Sequence, residues 1–198
     1  IQDNPDSLRS VFLLYEIDWS FKSAEDFWVS ITMIDESLHG NEYYIRLVRL
    51  TEQAEKVELG KIAPDFQMPD TSGEHQRLSE ILDESDYLLL DFWASNCSPC
   101  RHENPYILAA YEEFNGRGFN VLGVSTDTQK DAWLKAIHED SLVWTNVCSF
   151  EKWNDHPIVI RYALQQVSQN FLLDKDGVIL AKDLRGDALN EKLSELLD

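Results

Sequence analysis

Leu88-Leu89-Leu90-Asp91-Phe92-Trp93-Ala94-Ser95-Asn96-Cys97-Ser98-Pro99-Cys100-Arg101 carries an apolar run straight into two cysteines spaced Cys-x-x-Cys. Tyr87 to Phe92 is a nearly continuous apolar run, the pattern of a central strand covered on both faces. At the two cysteines the strand gives way to a helix. With Cys97 at or near the helix N-cap, Cys100 falls three residues on, on the same face and within reach of a disulfide. Cys97 then faces the unpaired N–H groups and the positive dipole end of the helix, which favour its thiolate, the nucleophilic form. Pro99 lies in the first turn, where a missing N–H costs little, and the Cys100 N–H remains available to the Cys97 sulfur. The expected chemistry is that of a redox pair.

A bare Cys-x-x-Cys also makes half of a zinc site. Such a site needs four ligands. Beyond the motif the chain offers only Cys148 and His39, His75, His102, His138 and His156, none paired at finger spacing. Cys148, at the end of Leu142-Val143-Trp144-Thr145-Asn146-Val147-Cys148, reads as a strand-end or core thiol rather than a third catalytic one. No metal ligands and no cofactor are assigned on this reading.

Composition narrows the partners. Seventeen basic against thirty-six acidic residues give a net charge of −19, which argues against nucleic acid or an anionic membrane. No stretch is apolar for long enough to span a bilayer, and no secretory leader is visible. At 198 residues the chain can bury a full core without staples.

Two regions are expected: residues 1–59, helical, and residues 60–198, where strands and helices alternate. In the first, the segment around Leu8 to Tyr15 is one helix. A capping box at Ser23 and Asp26 opens a second, with Phe27, Ile31, Ile34 and Leu38 on one face and Gly40 as its stop. Asn41 caps a third through Tyr44, Leu47 and Val48 towards Val57, with Gly60 ending it. Trp19, Phe27 and Trp28 read as packing residues, because aromatics dominate buried area. In the second region, Ile107, Ala110, Tyr111 and Phe114 lie at helical spacing after the cysteines, with Pro105 predicting a kink and Gly118 a stop. Phe119 to Ser125 is a second buried strand, and Thr128 with Asp131 is expected to cap a helix bearing Trp133 and Ala136. Phe171 to Asp174 and Val178 to Lys182 flank a hairpin turn at Lys175-Asp176-Gly177, and a last helix from Asp187 carries Leu189, Leu193 and Leu196. The predicted class is α/β, with parallel strands first and an antiparallel pair closing a mixed sheet flanked by helices.

From Gly60 to the C-terminus this order resembles the thioredoxin-like fold, and in its details the TlpA-like thiol-disulfide oxidoreductases. The matching residues are Gly60-Lys61-x-Ala63-Pro64-Asp65-Phe66, Asp91-Phe92-Trp93-Ala94, Cys97-x-Pro99-Cys100-Arg101-x-Glu103-x-Pro105, Val121-Leu122-Gly123-Val124-Ser125 and Asn170-Phe171-Leu172-Leu173-Asp174-x-Asp176-Gly177. The resemblance implies that Cys97 attacks, that Cys100 resolves, and that the pair cycles through a mixed disulfide with protein thiols or disulfides. It makes Asp91 the buried carboxyl behind the cysteines, either a proton acceptor for Cys100 or a group that only satisfies polar neighbours, with Trp93 and Pro99 in supporting places. It also implies a periplasmic or envelope-anchored location.

Two positions depart from that pattern. Asn96 stands where the family has Trp before the first cysteine. Ser168, in Val167-Ser168-Gln169-Asn170-Phe171, stands where the family has a cis-proline facing the cysteines. A cis bond costs about 2.5 to 4 kcal/mol without proline, so a trans Val167–Ser168 peptide, or a strained cis one held by the fold, is expected. Losing the proline keeps open two alternatives: soft-metal binding by the thiols, and a redox-silent interaction module. A peroxide reductase would carry Pro-x-x-x-Thr/Ser-x-x-Cys, and here Ala94 lies three before Cys97.

Overall fold

The computed structural model describes residues 5–15 and 23–197. Trp19 lies outside the described residues. Three helices come first: α1 (Leu8–Tyr15), α2 (Ala24–Ile31) and α3 (Glu42–Lys56). The Ser23–Asp26 capping box is formed in both directions. Helix α2 is shorter than its apolar periodicity predicts. It ends at Ile31, and Asp35 then accepts the Ser37 N–H to start a separate 3-10 turn over Glu36–Leu38. The Asp35 N–H is held by the Pro5 carbonyl, so the backbone donor that a continuing helix would use is spent elsewhere. Val11, Leu14, Phe27, Ile31, Ile34 and Leu47 form a small apolar core of their own, with Trp28 packed against it. Asn41 caps α3 through the Tyr43 N–H.

The chain enters the second region along a strand edge: the Gly60 N–H donates to the Ile179 carbonyl and the Ala63 N–H to that of Gly177. A short ribbon, β1 (Gln67–Pro69) and β2 (His75–Arg77), precedes α4 (Leu78–Leu82). There follow β3 (Tyr87–Trp93), α5 (Ser98–Phe114), β4 (Phe119–Ser125), α6 (Lys130–Glu139), β5 (Thr145–Cys148), α7 (Pro157–Arg161), β6 (Gln169–Asp174), β7 (Ile179–Lys182) and α8 (Asp187–Leu197). The strand order is β5-β4-β3-β6-β7. Strands β3, β4 and β5 are parallel, β6 runs antiparallel to β3, and β7 antiparallel to β6. This is the mixed sheet of a thioredoxin-like fold.

Strand β3 is central and buried on both faces, which is why it reads as an unbroken apolar run. Leu88, Leu90 and Phe92 point to one core with Phe66, Tyr162 and Phe171; Leu89 and Trp93 point to the other, with Cys100, Ile107, Phe114, Trp133 and Leu193. Helix α5 runs through Pro105 as one element. Helix α6 starts later than its sequence suggests: Gln129, not Thr128, is the N-cap, and its side chain makes no capping bond. The preceding turn is committed to the bonds of Asp127 described below. Among the described residues, no helix is long and apolar enough to cross a membrane.

Candidate functional site

Cys97 is the N-cap of α5, and its sulfur accepts the Cys100 N–H at 3.2 Å. The two sulfurs are joined as a disulfide, with Cα atoms 5.3 Å apart. Pro99 lies in the first turn of α5, exposed, and Asn96 is exposed beside the pair. The cysteines differ in access: Cys97 is half-buried, whereas Cys100 is only 3% exposed, packed with Leu89 and Trp93. An incoming sulfur can therefore reach Cys97 and not Cys100.

Asp91 lies between Leu89 and Trp93 on β3, so strand alternation aims it at the face that α5 covers, behind the cysteine pair. Burial raises its pKa to about 7, the Arg185 cation pulls it down and the Glu103 charge pushes it up. The surroundings of Asp91 are built by Asn170 and Glu103, which stand in the matching motifs without a role assigned there, and by Leu184 to Gly186, which no motif announces. Asp91 pairs across the ladder with Asn170 on β6. The buried Asn170 amide accepts from the Leu184 N–H at 2.9 Å and donates to the Leu184 carbonyl at 2.8 Å, which brings Arg185 close to Asp91. Glu103, on α5, accepts the Gly186 N–H at 2.9 Å and ties that same turn to the cysteine helix.

Ser168 has φ +70°, and no cis peptide bond occurs among the described residues. The Val167–Ser168 peptide is thus trans. The Ser168 N–H donates to the Phe92 carbonyl at 2.9 Å, extending the β3–β6 pairing by one bond at the cysteine end of the sheet. A proline could make neither that bond nor that φ. Val167, next to it, packs on the same apolar cluster as Cys97 and Trp93. The departure at Ser168 is therefore more than a side-chain exchange: the loop takes a backbone path that depends on having an N–H there.

The turn before Cys97 is tied down from two sides. Ser95 donates its N–H and its hydroxyl to the Asp127 carboxylate, and the Arg101 guanidinium donates to the Ser95 carbonyl at 3.3 Å. Arg101 also pairs with Glu139 and Asp140, and Asp140 accepts from the buried Asn104 amide at 2.7 Å. Cys148 is fully buried at the end of β5. Its thiol lies 3.3 Å from the Asp127 carbonyl, and burial pushes its pKa up, as expected of an inert core thiol. Among the described residues, no group of three or more His, Cys, Asp or Glu side chains is disposed to hold a metal.

A disulfide set where β3 hands over to α5, on a parallel trio closed by an antiparallel hairpin, defines a dithiol protein of the thioredoxin-like class. The chain belongs to the AhpC/TSA family, whose model matches residues 59–182. It is similar to the thiol-disulfide oxidoreductase ResA of Bacillus thuringiensis subsp. konkukian, at 27% identity over 143 residues, covering 72% of this chain and 79% of that protein. Among solved structures it is similar to the thioredoxin domain of a thiol-disulfide oxidoreductase from Bacteroides vulgatus, with a TM-score of 0.66 and 34% identity over 72% of this chain and 99% of that one. A thiol-disulfide oxidoreductase from Bacteroides fragilis gives a TM-score of 0.64 and 38% identity over 69% of this chain and all of that one, 100%.

Proposed function

We propose that the protein is a thiol-disulfide oxidoreductase that exchanges electrons with the cysteines of partner proteins through Cys97 and Cys100. The observation that carries this reading is the asymmetry of the pair: an accessible N-cap sulfur bonded to a buried one a turn further on.

In the reducing direction, the Cys97 thiolate attacks one sulfur of a partner disulfide. A Cys97–partner S–S bond forms, the partner S–S bond breaks, and the second partner sulfur leaves as a thiolate. Cys100 then loses its proton and attacks the Cys97 sulfur. The internal disulfide forms and the partner leaves with both of its sulfurs reduced, while this protein has lost two electrons. Asp91, on the α5-facing side of β3 with a pKa near neutrality, is the group we assign to take the Cys100 proton. Trp93 lines the apolar floor of the pair, Pro99 shapes the first turn of its helix, and Ser168 sets the opposing backbone. Run backwards, the same steps oxidise a partner dithiol. No cofactor enters this cycle.

Residues 60–198 are assigned the activity and residues 1–59 a helical appendage with its own apolar core, consistent with a family match that begins at residue 59. The likeness to TlpA-like proteins supports an envelope-facing location, which fractionation of the native cell tests directly.

The test of the reaction is a glutathione redox titration of the protein with Cys97→Ser and Cys100→Ser as controls, alongside metal analysis of the reduced sample. An intramolecular disulfide with a measurable potential is expected, between about −270 and −120 mV, the range that thioredoxin-fold reductants and oxidants span. Absence of any such disulfide, or stoichiometric metal on the thiols, overturns the reading.

A further inference from the structure

Asp127 lies just past the end of β4 and is almost fully buried. One of its carboxylate oxygens accepts the Ser95 N–H at 2.8 Å and the Ser125 hydroxyl at 2.8 Å; the other accepts the Ser95 hydroxyl at 2.6 Å. The Asp127 N–H returns a bond to the Ser125 oxygen at 2.9 Å. Both donors of Ser95, two residues before Cys97, are thus held by one side chain from a neighbouring strand end. The Cys97 N–H bonds to the Ala94 carbonyl at 3.0 Å, closing the intervening turn. A short, partly buried, two-pronged contact to a charged acceptor is among the stronger non-covalent restraints available to a loop.

We propose that Asp127 and Ser95 are positioning residues for the Cys97 thiol. They fix the Ala94–Cys97 turn so that the sulfur stays at the amino end of α5, where the Cys100 N–H and the helix dipole stabilise its thiolate. Loosening the turn lets the sulfur leave that place, and the thiolate loses its support. The inference rests on Cys97 being the attacking thiol.

The two residues allow positioning to be separated from simple electrostatics. Removing the Ser95 hydroxyl changes no charge. Removing the Asp127 charge without any movement would lower the Cys97 pKa, because a nearby anion disfavours a thiolate. Positioning predicts a rise in both variants. The experiment follows the pH dependence of iodoacetamide alkylation at Cys97 in the reduced full chain, with melting temperature and exchange with oxidised glutathione recorded in parallel. In Ser95→Ala and Asp127→Asn the alkylation pKa is expected to rise by about one pH unit, leaving about tenfold less thiolate below it. Ser95→Thr, which keeps the hydroxyl, is expected to restore the parent value. A fall in Asp127→Asn, or a lowered melting temperature with an unchanged alkylation pKa in Ser95→Ala, overturns the proposal. If Cys97→Ser left exchange intact, the assignment of the attacking thiol would fail instead, whatever the alkylation profiles show.

Discussion

Asp91 on β3 stands opposite Asn170 on β6, and Asn170 closes both ends of its amide on the backbone of Leu184. One buried amide thereby sets the turn that carries Arg185 towards the carboxyl behind the cysteines. The pKa of Asp91 thus depends on the β3–β6 pairing and on the turn after β7 as well as on its own burial.

Asp91 makes stability depend on pH in a defined direction. With its pKa raised by burial to about 7, it holds a proton in the fold that the unfolded chain has already released above about pH 4. More protons are bound in the folded state over that window, so stability falls as pH rises from about 4 to about 7, by a few kcal/mol, and levels off above it. Asp91→Asn is expected to melt higher than the parent at pH 8 and close to it at pH 4. Thermal melts of the oxidised protein at both values check this; an equal offset at the two would contradict it. In exchange kinetics, indistinguishable pH profiles for Cys100 resolution in the variant and the parent would remove the proton-acceptor role.

Access to the two sulfurs predicts different failures. Cys97→Ser is expected to abolish formation of mixed disulfides, since the remaining Cys100 is buried. Cys100→Ser is expected to accumulate them, because nothing then resolves the Cys97–partner bond. Non-reducing gels after mixing with a disulfide-bonded protein distinguish the two, and the opposite pattern would reverse the assignment.

At Ser168 the backbone predicts which substitutions fit. A φ of +70° is strained for serine, and glycine relieves it, so Ser168→Gly is expected to stabilise by about 1 kcal/mol. Ser168→Pro loses the bond to the Phe92 carbonyl and cannot adopt the φ, at a cost of about 3 kcal/mol or more. Urea unfolding measures both; a proline variant as stable as the parent would show that the loop readily takes another path.

Asn170→Leu keeps the branched outline of the side chain and removes both bonds to Leu184. Leu184 is only half-buried, so leaving its N–H and C=O without those partners costs on the order of 1 to 3 kcal/mol. The expected signature is a lowered urea midpoint together with a shifted pH dependence of stability, because Arg185 is no longer held near Asp91.

Much of this protein is legible along the chain because its signals are local. The β3 apolar run, the Cys-x-x-Cys at its end, the Ser23 and Asn41 caps and the hairpin turn at Lys175-Asp176-Gly177 each depend on neighbours within a few residues. Where the structure departs from the local pattern, a distant partner intervenes. Helix α2 stops at Ile31 although its periodicity runs on to Leu38, and α6 opens at Gln129 because the turn before it is tied to Ser95.

The order of the larger elements, the placing of Cys97 and Cys100 where β3 ends and the acid just before them are legible along the chain, since all follow from residue type and short spacing; the β1–β2 ribbon, α4 and α7 are not. What surrounds the cysteines comes from contacts between residues far apart in the chain. The bonds from Asp127 to Ser95 span 32 positions, from Asn170 to Leu184 14, and from Glu103 to Gly186 83. Ser168 takes a φ that no local rule assigns it, because its N–H is needed by the carbonyl of Phe92. Such contacts form only when the sheet brings strand ends together, and buried polar groups must then find partners wherever the fold has placed them.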